Sequence, residues 1–289
     1  KKQKSRLKQR RKRQRGSNIL QGFSNMCEDL EKQYNALLHE YQKCVEKRMS
    51  PEDYLQYNEI LFSAHSLGIE GNSYTINDTK ALKELGLGVV PTNKPLVETM
   101  EMLDHFHAYE QMLAAVQSPL AEDYVLSLHA TLTHHTISYR HPGASPGEYT
   151  TMDMGAGDTL FGDHEQLIKK VPDLLQHTEN ALQKGLPPMF VAAIFHGHFI
   201  YLHPFRDGTG RMARLLSNKI LLQAGHPILI ITRESKEEYI RALKLFHNDS
   251  AEYLVSFFYQ CAIRRMQKEI EEKIADAIGA YVSQEEIIK

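Results

Sequence analysis

Residues 192–214 constrain the fold of this chain more than any other stretch, because two apolar helical segments meet there across a glycine-rich turn. The first segment follows Pro187 and ends at His203, since the residue before a proline is pushed out of the helical region. Apolar positions resume with helical spacing at Met212. The pattern predicts two buried helices joined by a tight loop at residues 207–210.

That loop has the features of a phosphate site. It delivers backbone N–H groups to the start of the second helix, where the first amides lack partners and the helix dipole is positive. The glycines on either side of Thr209 let the backbone approach a phosphate closely. Arg211 and Arg214 share one helix face and can bind further phosphate oxygens. Asp207 could hold Mg2+, and His203 is placed as a general base near neutral pH, so the stretch predicts phosphate transfer.

The stretch resembles the signature of the Fic family, H-x-F-x-[D/E]-G-N-G-R-x-x-R, usually preceded by A-A-x-x-H-x-x-F-x-x-I. The family usually has asparagine where this chain has Thr209, whose β-branched side chain resists the positive φ that asparagine tolerates. The resemblance covers about residues 96–260 and implies a mainly α-helical Fic domain. The matching residues are Ala192, Ala193, His196, Phe199, His203, Phe205, Asp207, Gly208, Gly210, Arg211 and Arg214.

By this resemblance, we expect a protein adenylyltransferase that transfers AMP from ATP to a Ser, Thr or Tyr hydroxyl of a target protein, possibly the chain itself. His203 would take the hydroxyl proton, and Asp207 would hold Mg2+. Phe205 would anchor the loop in the core, while Tyr239 and Asn248 would contact the adenine and ribose. The residues expected to bind ATP are Phe205, Arg206, Gly208, Thr209, Gly210, Arg211, Arg214, Tyr239 and Asn248.

A second resemblance lies upstream, on a helix predicted to begin at Ser50-Pro51. Ser66-x-x-x-Glu70-Gly71 matches the inhibitory motif [S/T]-x-x-x-E-[G/N] of Fic proteins. Ser66 and Glu70 share a helix face, and Gly71 can end the helix in a left-handed cap. Composition alone favours a helix end with an exposed glutamate. The resemblance implies that Glu70 pairs with Arg214, where the γ-phosphate would bind, and holds the enzyme at low activity.

The remaining organisation follows from charge and turn residues. Residues 1–16 carry ten Lys or Arg and no acid, against 24 basic and 36 acidic side chains in the rest of the chain. Such a run is usually a mobile tail; nucleic-acid binding is the less favoured alternative, because no aromatic residues interleave. We divide the chain into this tail, an N-terminal helical region with the inhibitory helix (17–95), a Fic core (96–260) and a C-terminal helix (261–289). Within the last helix, residues 269–273 are predicted to be solvated.

Residues 139–162 break the helical pattern. Gly147-Glu148-Tyr149-Thr150 resembles the G-x-Y-R run that precedes the Fic flap, with threonine in place of arginine. Residues 152–162 would form that flap as a β-hairpin, with residues 155–158 as its turn. In the family the flap aligns the target chain as an added strand. The alternative is an ordinary surface loop.

Other functions remain open from the sequence. His196, His198, His203 and Asp207 could be drawn as a transition-metal cluster, but His196 and His198 project to different sides of a helix, and His196 is predicted to be structural. A related enzyme could use another donor, or remove AMP with the inhibitory glutamate activating water. A nucleotide-binding regulatory module without turnover is the non-enzymatic alternative.

Composition adds two expectations about location. No apolar stretch reaches the length of a membrane span. Three widely spaced cysteines, an odd number, favour a reducing compartment, so we expect a cytoplasmic protein; oligomerisation is possible.

Overall fold

The computed structural model describes residues 28–91, 93–157, 159–248 and 250–287, with their side chains except at position 89 and beyond 276. The basic segment at 1–16 and residues 17–27 of the predicted N-terminal helical region lie outside these ranges. The helices are α1 (28–44), α2 (Pro51–Glu70), α3 (Ile76–Leu85), α4 (Leu96–Ala114), α5 (Glu122–Leu132), α6 (Ile137–Arg140), α7 (Leu167–Gln183), α8 (Pro188–Leu202), α9 (Thr209–Gln223), α10 (Lys236–His247) and α11 (Ala251–Ile287).

Helix α8 lies at the centre, with α7, α9, α10 and α11 packed against it. It is apolar on nearly every side, as a helix buried all round must be. Ala192, Ala193 and Phe199 are each 0% exposed, so α8 forms the core of the domain. The mainly α-helical fold predicted from the sequence is confirmed, and none of the helices in the described ranges is long and apolar enough to cross a membrane.

Helix α2 begins and ends as its sequence predicts. The Ser50 side chain accepts a hydrogen bond from the Asp53 amide, and Pro51 occupies the first helical position. Gly71 ends the helix with a φ of 101°, a left-handed conformation that glycine adopts without strain. The helix packs against α3, α4 and α9, which places its last turn beside the glycine-rich loop.

The prediction of a solvated face at residues 269–273 is wrong for Glu269. This residue is 7% exposed and accepts hydrogen bonds from Tyr41, Tyr57 and Arg265, at 2.7, 3.1 and 2.8 Å. The polar pattern misleads here because α11 turns this face towards α1 and α2. A carboxylate is required there to balance the buried Arg265 guanidinium group.

The turn of the hairpin is shorter than predicted. Its strands, β1 (Gly155–Ala156) and β2 (Thr159–Leu160), pair antiparallel with Gly155 opposite Leu160. Two of the four residues assigned to the turn therefore belong to a strand. A two-residue connection is the commonest hairpin loop, and Gly157 there has a φ of 58°.

Candidate active site

The glycine-rich loop connects α8 to α9 as predicted, but its backbone differs from expectation at Thr209. The positive φ of 82° falls on Gly208, while Thr209 is already the first residue of α9. Its hydroxyl lies 3.3 Å from both the amide and the carbonyl oxygen of Phe205, and its side chain is 1% exposed. The expectation that a β-branched residue is disfavoured here is therefore wrong, because helical φ suits threonine.

His203 ends α8 in a strained conformation. Its φ is 47°, the only positive φ of a non-glycine residue in the described part of the chain, and such backbones cost about 1–3 kcal/mol. The Phe161 ring stacks on the imidazole at 4.2 Å. Burial lowers the pKa of His203 to about 4, against the opposing effects of the Ile200 backbone and of the Glu70 and Asp207 carboxylates. The ring is therefore neutral near pH 7 and can accept a proton.

Asp207 and Arg211 form an ion pair at the start of α9. Asp207 Oδ1 accepts hydrogen bonds from the Gly208 amide at 2.6 Å and from Arg211 at 2.9 Å. Arg211 also lies 3.7 Å from Glu101 of α4. Burial raises the pKa of Asp207, but the Arg211 charge and the Gly208 amide outweigh it and leave the pKa below its usual value. The second carboxylate oxygen, Oδ2, is buried and has no hydrogen-bond partner among the described residues.

Arg214 is held by the last turn of α2. Its guanidinium group donates to the Ser66 hydroxyl at 3.0 Å, to the Ser66 carbonyl at 2.9 Å and to Glu70 at 2.7 Å. Arg214 is 3% exposed, whereas the Glu70 side chain retains 44% exposure. Desolvation raises the pKa of Glu70, but the charge and hydrogen bond of Arg214 outweigh it, so the pKa stays below its usual value and Glu70 is ionised. The predicted contact between Glu70 and Arg214 is present.

Backbone hydrogen bonds attach the segments on both sides of the hairpin to the C-terminal end of α8. The Thr150 amide donates to the Pro204 carbonyl, and the Gly162 amide donates to the Tyr201 carbonyl, each at 2.8 Å. Arg206 points towards the hairpin, with one guanidinium nitrogen 2.7 Å from the Met152 sulfur. Backbone contacts thus fix the hairpin beside His203.

Two residues expected to bind nucleotide occupy different surroundings. Tyr239 is 3% exposed, and its hydroxyl lies 2.7 Å from Nε2 of His196. His196 Nδ1 lies 3.1 Å from the Ser217 hydroxyl, so both ring nitrogens have partners, as expected of a structural histidine and not of a metal ligand. Asn248 is exposed and follows the last residue of α10.

Sequence reasoning missed three residues around the site. Glu101, His129 and Arg233 lie on α4, on α5 and just before α10, far along the chain from the residues they contact. Each contacts the loop, the first turn of α9 or the end of α2. Because these partners are far apart in sequence, no spacing of residues along the chain indicates the contact. A histidine among apolar helix positions is the only signal that His129 offers.

Comparison with known proteins finds relatives of this chain that share its sequence features. Residues 119–221 match the model of the Fic/DOC family. A protein adenylyltransferase Fic from Drosophila grimshawi is 29% identical over 259 residues, which are 86% of this chain and 50% of that protein. One from Nematostella vectensis is 29% identical over 225 residues, 75% of this chain and 49% of that protein. The chain thus spans about half the length of the curated relatives it matches.

The fold has a solved counterpart. The crystal structure of a Fic-domain-containing signalling protein from Bacteroides thetaiotaomicron superposes with a TM-score of 0.71 and 24% sequence identity, covering 86% of this chain and 97% of that one. Residues 119–221 therefore match the Fic/DOC family, and the chain adopts the Fic fold. The family resemblance seen in the glycine-rich stretch is confirmed.

Proposed function

We propose that this chain is a protein adenylyltransferase that transfers AMP from ATP to a hydroxyl group of a protein target and that Glu70 holds it at low activity. The observation that carries the proposal is the arrangement around the loop. His203, Asp207 and the first amides of α9 are contiguous, and Arg214 beside them is engaged by Glu70 at 2.7 Å. The names of the Drosophila and Nematostella relatives support the same reaction.

His203 would act as the general base. A neutral imidazole can take the proton of a Ser, Thr or Tyr hydroxyl as that oxygen attacks the α-phosphorus, and pyrophosphate leaves. The left-handed backbone at His203 and the Phe161 ring against it fix the imidazole at the end of α8. Positioning of this kind can account for a large part of the acceleration.

The loop would bind the phosphates of ATP. The amides of Thr209, Gly210 and Arg211 precede the first intrahelical hydrogen bond of α9, from the Met212 amide to the Gly208 carbonyl at 2.8 Å. These N–H groups and the helix dipole favour an anion. Two guanidinium nitrogens of Arg211, Nε and Nη1, are buried without hydrogen-bond partners among the described residues, which suits a phosphate ligand.

Asp207 would hold Mg2+. Its buried Oδ2 accepts no hydrogen bond from the described residues, lies 3.8 Å from His141 Nε2 and offers the carboxylate oxygen that Mg2+ prefers alongside substrate phosphates. The ion would supply charge neutralisation at the leaving pyrophosphate. Oδ1 is already committed to Arg211 and the Gly208 amide, so Asp207 can serve the ion and the loop through different atoms.

Glu70 would oppose ATP binding by occupying Arg214. An arginine fork that is already paired with a carboxylate cannot also bind the γ-phosphate, so ATP binds weakly or with its α-phosphorus misaligned. The hairpin would present the target as an added strand next to His203. We further propose a cytoplasmic location, since Cys44 and Cys261 are free thiols. The target is a protein with a reactive hydroxyl group, and a second copy of this chain can also serve as the target.

The proposal can be tested by incubation with Mg2+ and ATP labelled at the α-phosphate. We would compare the wild type, Glu70→Gly, and Glu70→Gly with His203→Ala, and use Glu70→Gly with His198→Ala as a control for removing an exposed histidine of the same helix. We expect faint self-labelling of the wild type, strong labelling of Glu70→Gly and of the His198 control, and none with His203→Ala.

Two outcomes would contradict this proposal. Labelling that follows the γ-phosphate instead of the α-phosphate would identify a different donor chemistry. ATP binding by Glu70→Gly without any covalent label on itself or on a lysate would favour the non-enzymatic regulatory module.

A further inference from the structure

The ring of His129 lies directly beneath the glycine-rich loop. It is 0% exposed, and it stacks on the Phe205 ring with a centroid distance of 3.7 Å and an angle of 5° between the planes. Its Nε2 is 3.0 Å from the carbonyl oxygen of Asp207, and its Nδ1 is 3.0 Å from the amide nitrogen of Gly147. One side chain from α5 therefore contacts two segments of the site.

These partners fix the tautomer of the ring. The Gly147 amide can only donate and the Asp207 carbonyl can only accept, so Nδ1 must carry the lone pair and Nε2 must carry the hydrogen. Because Nδ1 accepts the Gly147 N–H, it carries no proton, and the imidazole is neutral in this arrangement. Both nitrogens are committed, so His129 is not available as an acid or base.

The contacted peptide controls the geometry of the loop. The Asp207–Gly208 peptide carries the amide that bonds Asp207 Oδ1 at 2.6 Å and leads directly into the first amides of α9. Rotating this peptide would turn a carbonyl oxygen towards the phosphate-binding amides. The space at Gly208 is also limited, because a Cβ there would lie 3.1 Å from the Thr133 methyl group, with the His129 ring in ordinary contact at 3.5 Å.

The second contact reaches the segment that leads to the hairpin. Gly147 has a φ of 79°, and a Cβ there would lie 3.0 Å from the Leu126 carbonyl of α5. Three residues later, the Thr150 amide bonds the Pro204 carbonyl at 2.8 Å. The hairpin side and the nucleotide side of the site therefore share His129 as a common support.

We propose that His129 is a positioning residue for the AMP transfer proposed above, on which this inference rests: its Nε2–H fixes the Asp207–Gly208 peptide, and its Nδ1 ties that peptide to Gly147. His129 acts through the loop and does not touch the reacting atoms. Misplacement of catalytic groups by about 1 Å can cost about 10²-fold in rate, so its loss lowers kcat more than it raises KM for ATP.

The tautomer can be measured directly. Nitrogen-15 spectra of the histidine side chains, with His129 assigned by its disappearance in His129→Gln, should show a protonated Nε2 and an unprotonated Nδ1 from pH 6 to 8. A protonated Nδ1 in this range would overturn the proposal, because the Gly147 amide could not then donate to it.

Kinetics in the Glu70→Gly background separate positioning from mere packing. His129→Phe keeps the stacked ring but removes both hydrogen bonds, whereas His129→Gln retains a donor and an acceptor. We expect kcat to fall about 10- to 100-fold in His129→Phe with KM for ATP changed less than about threefold, and to recover in part in His129→Gln. The matched control is His226→Phe, because His226 also stacks on a ring and bonds a hydroxyl, both of Tyr34, and should keep kcat within about twofold.

Amide hydrogen exchange makes the test independent of the reaction. In His129→Phe, the Gly147 and Gly208 amides should exchange at least about tenfold faster than in the parent, whereas His226→Phe should leave them unchanged. Unchanged exchange, or a lowered melting temperature with kcat of the folded protein intact, would overturn the proposal. If Glu70→Gly transfers no AMP, the proposed function fails, and the tautomer and exchange results still decide whether His129 holds the loop.

Discussion

Arg211 and Arg214 lie on the same turn of α9 and are almost equally buried, at 2% and 3% exposure, yet they are held in different ways. Arg211 pairs with Asp207, four residues earlier on the same loop, and lies near Glu101, which is 5% exposed at its side chain. Arg214 pairs with Glu70, at the end of a helix 144 positions away in sequence.

The difference separates a permanent contact from a releasable one. Glu101 is buried on α4 and also pairs with Arg140 at 2.8 Å, so removing it leaves Arg140 without its carboxylate and the buried Arg211 with Asp207 alone. Glu70 is the last residue of α2, and its side chain is 44% exposed. The Glu70 carboxylate can therefore reach water, while the buried Arg214 would keep its two hydrogen bonds to Ser66. The fold thus fixes one arginine and leaves the other open to competition.

The largest expected effect is on the free energy of unfolding when each of the two glutamates is replaced by alanine. Glu101→Ala should lower the free energy of unfolding by about 3–5 kcal/mol, because Arg140 and Arg211 lose a buried partner. Glu70→Ala should cost less, because Ser66 still accepts two hydrogen bonds from Arg214 and the Glu70 side chain is itself 44% exposed. Urea unfolding at pH 7 measures both, and equal losses would show that the two contacts do not differ in kind.

Glu70→Ala should in turn strengthen ATP binding. Freeing Arg214 for phosphate should lower the Kd for ATP with Mg2+ by about 5- to 150-fold, the usual range of coupling between sites. Calorimetric titration of the wild type and variant would measure this change. Glu238→Ala is the matched control, because Glu238 also has 44% side-chain exposure and an arginine partner, Arg264 at 3.4 Å. An unchanged Kd in Glu70→Ala would mean that Glu70 does not compete with ATP.

The contact between Glu70 and Arg214 was predicted only through the family resemblance, and the contacts of Glu101 were not predicted. The loop from His203 to Arg214 is contiguous, so spacing alone places its amides and arginines on one helix start. The pairing of Glu70 with Arg214 came only from family resemblance, because nothing local indicates which helices meet.

The misses have the same physical cause. Glu101 and His129 act through partners far along the chain, and Glu269 looked solvated because a polar stretch on a helix does not show that Arg265 lies opposite. Helix α3 was overlooked although Thr75 and Asp78 form a capping box, a local signal that was available. The individual helices followed from apolar periodicity and the fold class from the family resemblance, whereas buried polar pairs depend on tertiary packing.

Lowering the pH should reduce the stability of the folded protein, because buried histidines lie near both arginines. His129 lies beneath Asp207, and His196 contacts Tyr239 near Arg214; burial lowers their pKa values to about 4 and about 3. Both rings are neutral when folded, so the unfolded chain binds more protons between pH 6.5 and 4. Stability is therefore full above pH 6.5 and falls by about 1.4 kcal/mol per pH unit for each histidine as the pH drops through that window.

Denaturant unfolding between pH 7 and 4.5 measures this slope. His196→Gln should flatten it by about one proton, or about 1.4 kcal/mol per pH unit, even if the variant is less stable at pH 7. His198→Gln, at an exposed position of α8, should flatten it less, because burial lowers the pKa of His198 by a smaller amount. Identical slopes in the wild type and His196→Gln would show that His196 does not take up a proton on unfolding.

The smallest expected effect concerns how firmly α2 presents Glu70. Arg233 lies across Gly68 and donates to the carbonyl oxygens of Asn72 and Tyr74, each at 2.9 Å, while its backbone amide donates to His65 Nδ1 at 3.2 Å. A Cβ at Gly68 would overlap the Arg233 guanidinium group, so Arg233 can lie there only because Gly68 has no side chain. Arg233→Ala should loosen the end of α2 without removing the Glu70 carboxylate. Losing two hydrogen bonds of about 1 kcal/mol, partly replaced by water, should strengthen ATP binding about threefold.

The same change should have no effect once Glu70 is already alanine, because Arg214 is then free whatever the position of α2. Calorimetry on the single and double variants tests this dependence, with Arg241→Ala on the exposed face of α10 as the control. Gly68→Ala should act in the same direction as Arg233→Ala, since it displaces the same side chain. If Arg233→Ala still strengthens ATP binding threefold in the Glu70→Ala background, then Arg233 affects ATP binding directly and not through Glu70. The releasable contact would then depend on Glu70 and Arg214 alone.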